Sequence, residues 1–222
     1  IDCIRAMGRH VEGFPGSQLK AIIHEHSIFR QLAACGKSST FANAYFADEV
    51  ATVVQHRLHS VTTAATLSAF GAVRCRAELE KDNAVYQDIT REALVPRGYT
   101  GPRVTPTQAA AHLARIAAGY DFTLFEYFQT DRAGHTADIE RVKHVLAILD
   151  EFLAALRIHC LDSGILLALT SDHGNIEDAS TGRHTLNPVP FAAVGPGAES
   201  FRAPVRSILD VTPAILKWLC GE

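Results

Sequence analysis

The sequence predicts an α/β fold built on a mostly parallel sheet. Short, continuous apolar runs at residues 122–128 (FTLFEYF) and 165–170 (ILLALT) read as strands buried on both faces of such a sheet. Longer stretches with apolar residues at helical spacing lie around them, so helices alternate with strands. A third observation concerns function: each run is followed within a few residues by an Asp and a His. In open α/β sheets ligands and catalytic groups collect at the carboxyl edge of the strands.

Residues 17–35 carry Leu19, Ile22, Ile23, Ile28, Leu32 and Ala33 at helical spacing, with Ser17 and Ser27 as candidate N-caps and Gly36 as the residue that ends the helix. Residues 40–46 (TFANAYF) are short and β-prone and predict a strand. A helix is expected over 62–73, but the surrounding stretch is rich in turn formers and poor in period. The chain therefore divides into a core, residues 1–46 and 106–222, and a segment 47–105 that is either a cap over the active site or a surface excursion. Thr105 as N-cap and Pro106 at the first helical position open a helix running to about Ala118, closed by Gly119. After the 122–128 strand, Ile139, Val142, Leu146, Leu149, Leu153 and Leu156 mark one stripe of a long amphipathic helix, with Arg141, Lys143, Asp150 and Glu151 off it. The 165–170 strand leads into TSDHGNIEDASTGRHTLNPVP, then a strand at 191–194 ended by Gly195-Pro196-Gly197. Thr212-Pro213 starts a last helix with Ile215, Leu216 and Leu219 on its apolar side.

A chain of 222 residues, 47% of them hydrophobic, is long enough for one sizeable core. The net charge of -3, with no basic run and no apolar stretch of spanning length, argues against nucleic-acid and membrane partners and for small molecules. Oligomeric state has no signature here. Five scattered cysteines, Cys3, Cys35, Cys75, Cys160 and Cys220, without C-x-x-C spacing read as reduced thiols of a cytoplasmic protein. The chain opens at Ile1 without an initiator Met or a targeting segment, which leads us to expect an N-terminal portion upstream.

Eleven histidines against one methionine direct attention to where the histidines fall. Asp131 and His135 are four apart, Asp172 and His173 adjoin just past a strand, and His184 follows on a loop. Each piece alone is weak, because a lone His is more often a hydrogen-bonded structural residue than a ligand. Together, at the edge of one sheet, they form a carboxylate and imidazole set suited to Zn²⁺ or Mn²⁺. Five ligands suggest two ions. His24-Glu25-His26 resembles a ligand cluster, but residues two apart on a helix face away from each other, so surface roles are expected. His56 and His59 could reach a site from a cap, with solvated loop histidines as the favoured alternative. Arg183, beside His184, is a candidate substrate-binding residue, since guanidinium pairs with phosphate oxygens.

The segments Asp131-x-x-x-His135, Thr170-Ser-Asp172-His173-Gly174-Asn175 and His184-Thr185-x-Asn187-Pro188-Val189-Pro190 resemble the metal-binding segments of the alkaline phosphatase superfamily, nearest its cofactor-independent phosphoglycerate mutase-like branch. The resemblance implies a doubly wound sheet, here missing its N-terminal strand, and two divalent ions. Asp131, His135 and His184 would hold the first ion, and Asp172 with His173 would help hold the second. It also implies a Ser or Thr nucleophile and a first-strand Asp. Asp2 has no strand before it, and Ser38, Ser39 and Thr40 open a strand rather than follow one, so both groups are expected upstream of Ile1. The implied function is a phosphomutase or phosphohydrolase acting on a small phosphorylated substrate. A catalytically inactive metal-binding scaffold and a sulfatase-like hydrolase are the alternatives.

Overall fold

The computed structural model describes residues 16–56 and 59–221. Asp2, Cys3 and His10 lie outside the described residues. The helix expected over 17–35 is two, α1 (Ser17–His26) and α2 (Ile28–Ala34), because Ser27 is extended at ψ 150° and re-aims the chain so that Phe29 and Leu32 are buried. Gly36, at φ 76°, closes α2: its N–H bonds Ala33 and that of Lys37 bonds Leu32, both through the carbonyl oxygens.

Strand β1 (Ser39–Phe41) pairs in parallel with β2 (Phe122–Leu124). Beyond β1 the chain makes further parallel bridges, Asn43 to Val85 and Ala44 to Arg74. The run expected as a strand over 122–128 stops at Leu124 for a specific reason. The Asn43 side chain accepts from the Glu126 N–H at 2.9 Å and donates to its carbonyl at 2.7 Å, taking the main-chain groups that a ladder would use.

Between Phe41 and the next long helix lie α3 (Val50–Val54), α4 (Val61–Phe70), α5 (Arg76–Glu80) and a 3₁₀ turn (Glu92–Arg97). Polar contacts order this weakly patterned stretch. Arg91 is 1% exposed, and its guanidinium reaches Asp82 at 2.6 Å, the Tyr99 hydroxyl at 3.3 Å and the Pro102 carbonyl at 3.4 Å. A buried charge is tolerated only when paired in this way. Asp82, Ile89 and Arg91 all adopt positive φ, which no sequence period reports.

The Thr105 hydroxyl caps α6 (Pro106–Ala117), and Gln108 returns the bond to the Thr105 N–H. Its Ala109, Ala110 and Leu113 pack with Phe152, Leu156 and Cys160 of α8 (Ile139–Asp162) to form the main core. The short helix α7 (Gln129–Gly134) precedes α8, which Asp138 caps by accepting from Glu140 and Arg141. Then β3 (Leu167–Thr170) pairs antiparallel with β4 (Phe191–Val194), so the mostly parallel expectation is corrected at this pair. Ala168 and Thr170 are exposed, so β3 presents one covered face rather than two. The chain ends with α9 (Ala198–Arg202), a 3₁₀ turn (Ile208–Asp210) and α10 (Val211–Cys220).

The reading of every cysteine as a reduced thiol is corrected at Cys35 and Cys220, which form a disulfide joining the ends of α2 and α10. The two are 185 residues apart, so only tertiary packing brings them together. Cys75 and Cys160 are free and buried. Among the described residues no helix is long and apolar enough to cross a membrane.

Candidate metal centre

Three segments meet at this centre. The first is α7, where Asp131 lies in the first turn and His135 caps the end. Four residues apart on a helix, they share a face, and Asp131 Oδ1 lies 3.2 Å from His135 Nε2. The second follows β3, where the Ser171 hydroxyl donates to the His173 carbonyl at 2.9 Å and turns the chain at Asp172-His173. The third is the return of the same loop. Gly174 and Thr185 form an antiparallel bridge, and this brings His184 back over His173.

The groups converge on Asp131 Oδ1. His184 Nε2 is 3.2 Å from it and 3.2 Å from His135 Nε2, while His173 Nε2 is 3.8 Å from the carboxylate. The His173 and His184 rings stack at 3.7 Å. A tetrahedral ion with ligand bonds of about 2.0–2.1 Å needs ligand atoms about 3.3 Å apart. Asp131, His135 and His184 stand at that spacing in all three pairs. Asp131, His173 and His184 also bring their ligand atoms within 4.8 Å of one another. His135 Nδ1 lies 2.9 Å from the Gly182 carbonyl, which can only accept, so Nδ1 carries the proton and Nε2 keeps its lone pair for the centre. Burial first, then the neighbouring His173, push the His184 imidazole below its ordinary pKa, against Asp131, which raises it. The neutral form so favoured is the one that ligates.

The structure thus gathers Asp131, His135, His173 and His184. Asp172, 80% exposed at its side chain, lies 3.5 Å from His173 Nε2. Arg183 is exposed beside His184. His24 and His26 are exposed on α1.

Two residues that shape the centre escape motif reading. Glu177 clips the loop shut: one carboxylate oxygen accepts from the Asn175 N–H at 2.6 Å, the other from the Thr185 hydroxyl and from Asn187 Nδ2 at 3.0 Å. These bonds, that of Thr185 foremost, hold its carboxyl down at a pKa of about 2. Glu126, close enough to Asp172 to feel its charge, accepts from the Thr62 hydroxyl at 2.5 Å. Burial pushes its carboxyl up, the Thr62 bond opposes this, and the charge of Asp172 adds to the rise. A single acid inside an aromatic strand run was the available signal for Glu126.

A family model described as the metalloenzyme superfamily matches residues 95–220, which include every candidate ligand. The chain is 33% identical over 125 residues to the 2,3-bisphosphoglycerate-independent phosphoglycerate mutase of Myxococcus xanthus (strain DK1622), covering 52% of this chain and 24% of that protein. The protein of the same name from Dinoroseobacter shibae (strain DSM 16493 / NCIMB 14021 / DFL 12) is 39% identical over 115 residues, 47% of this chain and 22% of its own length. The matched part of the chain thus spans about a quarter of the length of these curated relatives. No solved structure matches.

Proposed function

The chain belongs to the metalloenzyme superfamily, and from that membership we propose that it serves a divalent-metal-dependent enzyme of phosphate-ester chemistry, a phosphomutase or phosphohydrolase with a small phosphorylated substrate. The observation that carries the reading is the convergence of three imidazoles on Asp131 Oδ1 within 3.8 Å. Similarity to phosphoglycerate mutases supports phosphoryl rather than sulfuryl chemistry.

Asp131, His135 and His184 are assigned to a first ion and Asp172 with His173 to a second, Zn²⁺ or Mn²⁺ in each case. Bound there, such ions lower the pKa of a nucleophile and neutralise charge on phosphoryl oxygens. The chain's own residues supply orientation. The Gly182 carbonyl fixes the His135 tautomer, and Glu177 holds the loop that carries both His173 and His184. Arg183, exposed beside His184, is assigned to the phosphate as a charge-assisted donor. None of the described residues is assigned as the phosphoryl-accepting Ser or Thr.

The test is to supply the full-length gene product with 3-phosphoglycerate, pentose phosphates and a chromogenic phosphate ester in the presence of Mn²⁺ or Zn²⁺. Turnover of at least one, lost on chelation, is expected. Silence on all three sinks the assignment, and metal binding without turnover would favour the inactive scaffold.

A further inference from the structure

The candidate ligands stand on two separate supports. Among the described residues β1 and β2 form one two-stranded sheet and β3 and β4 another, with no strand pairing between the two. Asp131 and His135 follow β2, whereas His173 and His184 lie on the loop that joins β3 to β4. The spacing of the ligands therefore depends on how the two sheets are held relative to each other.

One covalent link joins the packing of both. Phe29 of α2 packs on the first sheet, its ring centre 6.3 Å from that of Phe122 at the start of β2. On the other side Trp218 of α10 meets Phe201 of α9 edge-on at 6.3 Å, and Phe201 lies 6.1 Å from Phe191 of β4. Phe191 pairs with Thr170, three residues before His173. The ends of α2 and α10 are tied by Cys35 and Cys220. Cys35 precedes β1, at the amino end of its strand, while the ligands follow the carboxyl ends of β2 and β3, so the bridge acts on them only through position.

The bridge is also within reach of a thiol. Both cysteines are half-buried, and a recess of about 300 Å³ lined by Gln31, Ala34 and Leu216 lies against them. Exchange requires access of this kind to a sulfur. Cys75 and Cys160 are buried instead, and burial pushes both thiols up, which keeps them protonated and inert.

We propose that the Cys35–Cys220 bridge is a redox clamp on the metal centre, closed when it holds the two ligand-bearing sheets in register and opened by a dithiol reductant; this rests on the metal-centre reading and names its regulation. A thiolate of the reductant attacks one bridge sulfur to form a mixed disulfide, and the reductant's second thiol displaces the protein. Two electrons and two protons pass to Cys35 and Cys220, and the reductant leaves as its own disulfide.

The experiment titrates Mn²⁺ into the full-length protein, oxidised or reduced with a dithiol that is then removed without air, with circular dichroism recorded for each state. The reduced protein is expected to stay folded and to bind Mn²⁺ about tenfold more weakly, the lower end of what losing support around a ligand set costs. Reoxidation should restore the affinity. Cys35→Ser and Cys220→Ser should each bind like the reduced parent, whatever the redox treatment. By linkage, saturating Mn²⁺ should raise by the same factor the ratio of reduced to oxidised dithiol that half-opens the bridge. Equal affinity in the two redox states of the parent, or a redox effect that persists in both variants, overturns the clamp and leaves the metal centre standing. Unfolding on reduction would show the bridge to be a structural staple and overturns it as well. An absence of Mn²⁺ binding in every state would strike the metal centre itself, and the clamp with it.

Discussion

Replacing Gly134 by Ala tests how the two halves of the metal centre are held together. Gly134 is the last residue of α7 and is buried against the loop after β3. An added Cβ would overlap Asn175 Oδ1, lie 2.5 Å from Asn175 Cγ and stand 3.1 Å from Ile176 Cα. Asn175 is 4% exposed, and its N–H is tied to Glu177, so the clash is not relieved by swinging a side chain into solvent. One segment must retreat by about 1 Å, and overpacking of this kind costs about 1–3 kcal/mol. For a chain of this size each 1 kcal/mol lowers Tm by about 2–4 °C, so a fall of about 4–8 °C is expected at the middle of that range. The same shift separates Asp131 and His135 from His173 and His184, and ligand sites tolerate only about 0.2 Å. Metal affinity should therefore drop by about 10–100-fold, as it does when outer-shell support is lost. Thermal melts with and without Mn²⁺ or Zn²⁺, and calorimetric metal titration, read both effects. Asn175→Gly removes the clashing atoms, and the double variant should recover affinity with a coupling of about 0.5–3 kcal/mol. Unchanged Tm and affinity in Gly134→Ala, or strictly additive effects, would refute this account of the contact.

Asp131→Asn should weaken the first ion by more than the 10–100-fold of an outer-shell loss, because the carboxylate is the one charge all three imidazoles face, and metal titration checks it. Glu126 has its folded pKa raised above the ordinary 4.5, so the stability it contributes is present below that value and lost as pH rises through the folded pKa. Glu126→Gln should therefore melt higher than the parent at pH 7, with the difference closing below about pH 4; a constant difference across the range would count against it. Cys35→Ser should expose the Cys220 thiol to titration and, by opening a loop of 185 residues, lower stability by up to about 5 kcal/mol. An unreduced protein with all thiols titratable would show that no such bridge forms.

What the sequence determined by itself is whatever is written within four residues. Thr105, Pro106 and Gln108 carry their own cap, so the start of α6 was legible; Phe191–Val194 is a strand at the expected residues; and the spacing of Asp131 and His135 places both on one helical face. The candidate ligand segments also stand out in the sequence, because Asp172-His173-Gly174-Asn175 and His184-Thr185-x-Asn187-Pro188 are contiguous. Tertiary structure alone decided the rest. It put His173 against His184 and Asp131 while keeping it 3.5 Å from its chain neighbour Asp172. It ended β2 early through Asn43 and Glu126, 83 residues apart, and it joined Cys35 to Cys220. It also ordered the 47–105 segment around the buried Arg91. The physical reason is the same in each case: a cap or an i, i+4 pair depends on backbone geometry shared by every helix, whereas a contact between distant residues exists only once packing has fixed where both segments lie.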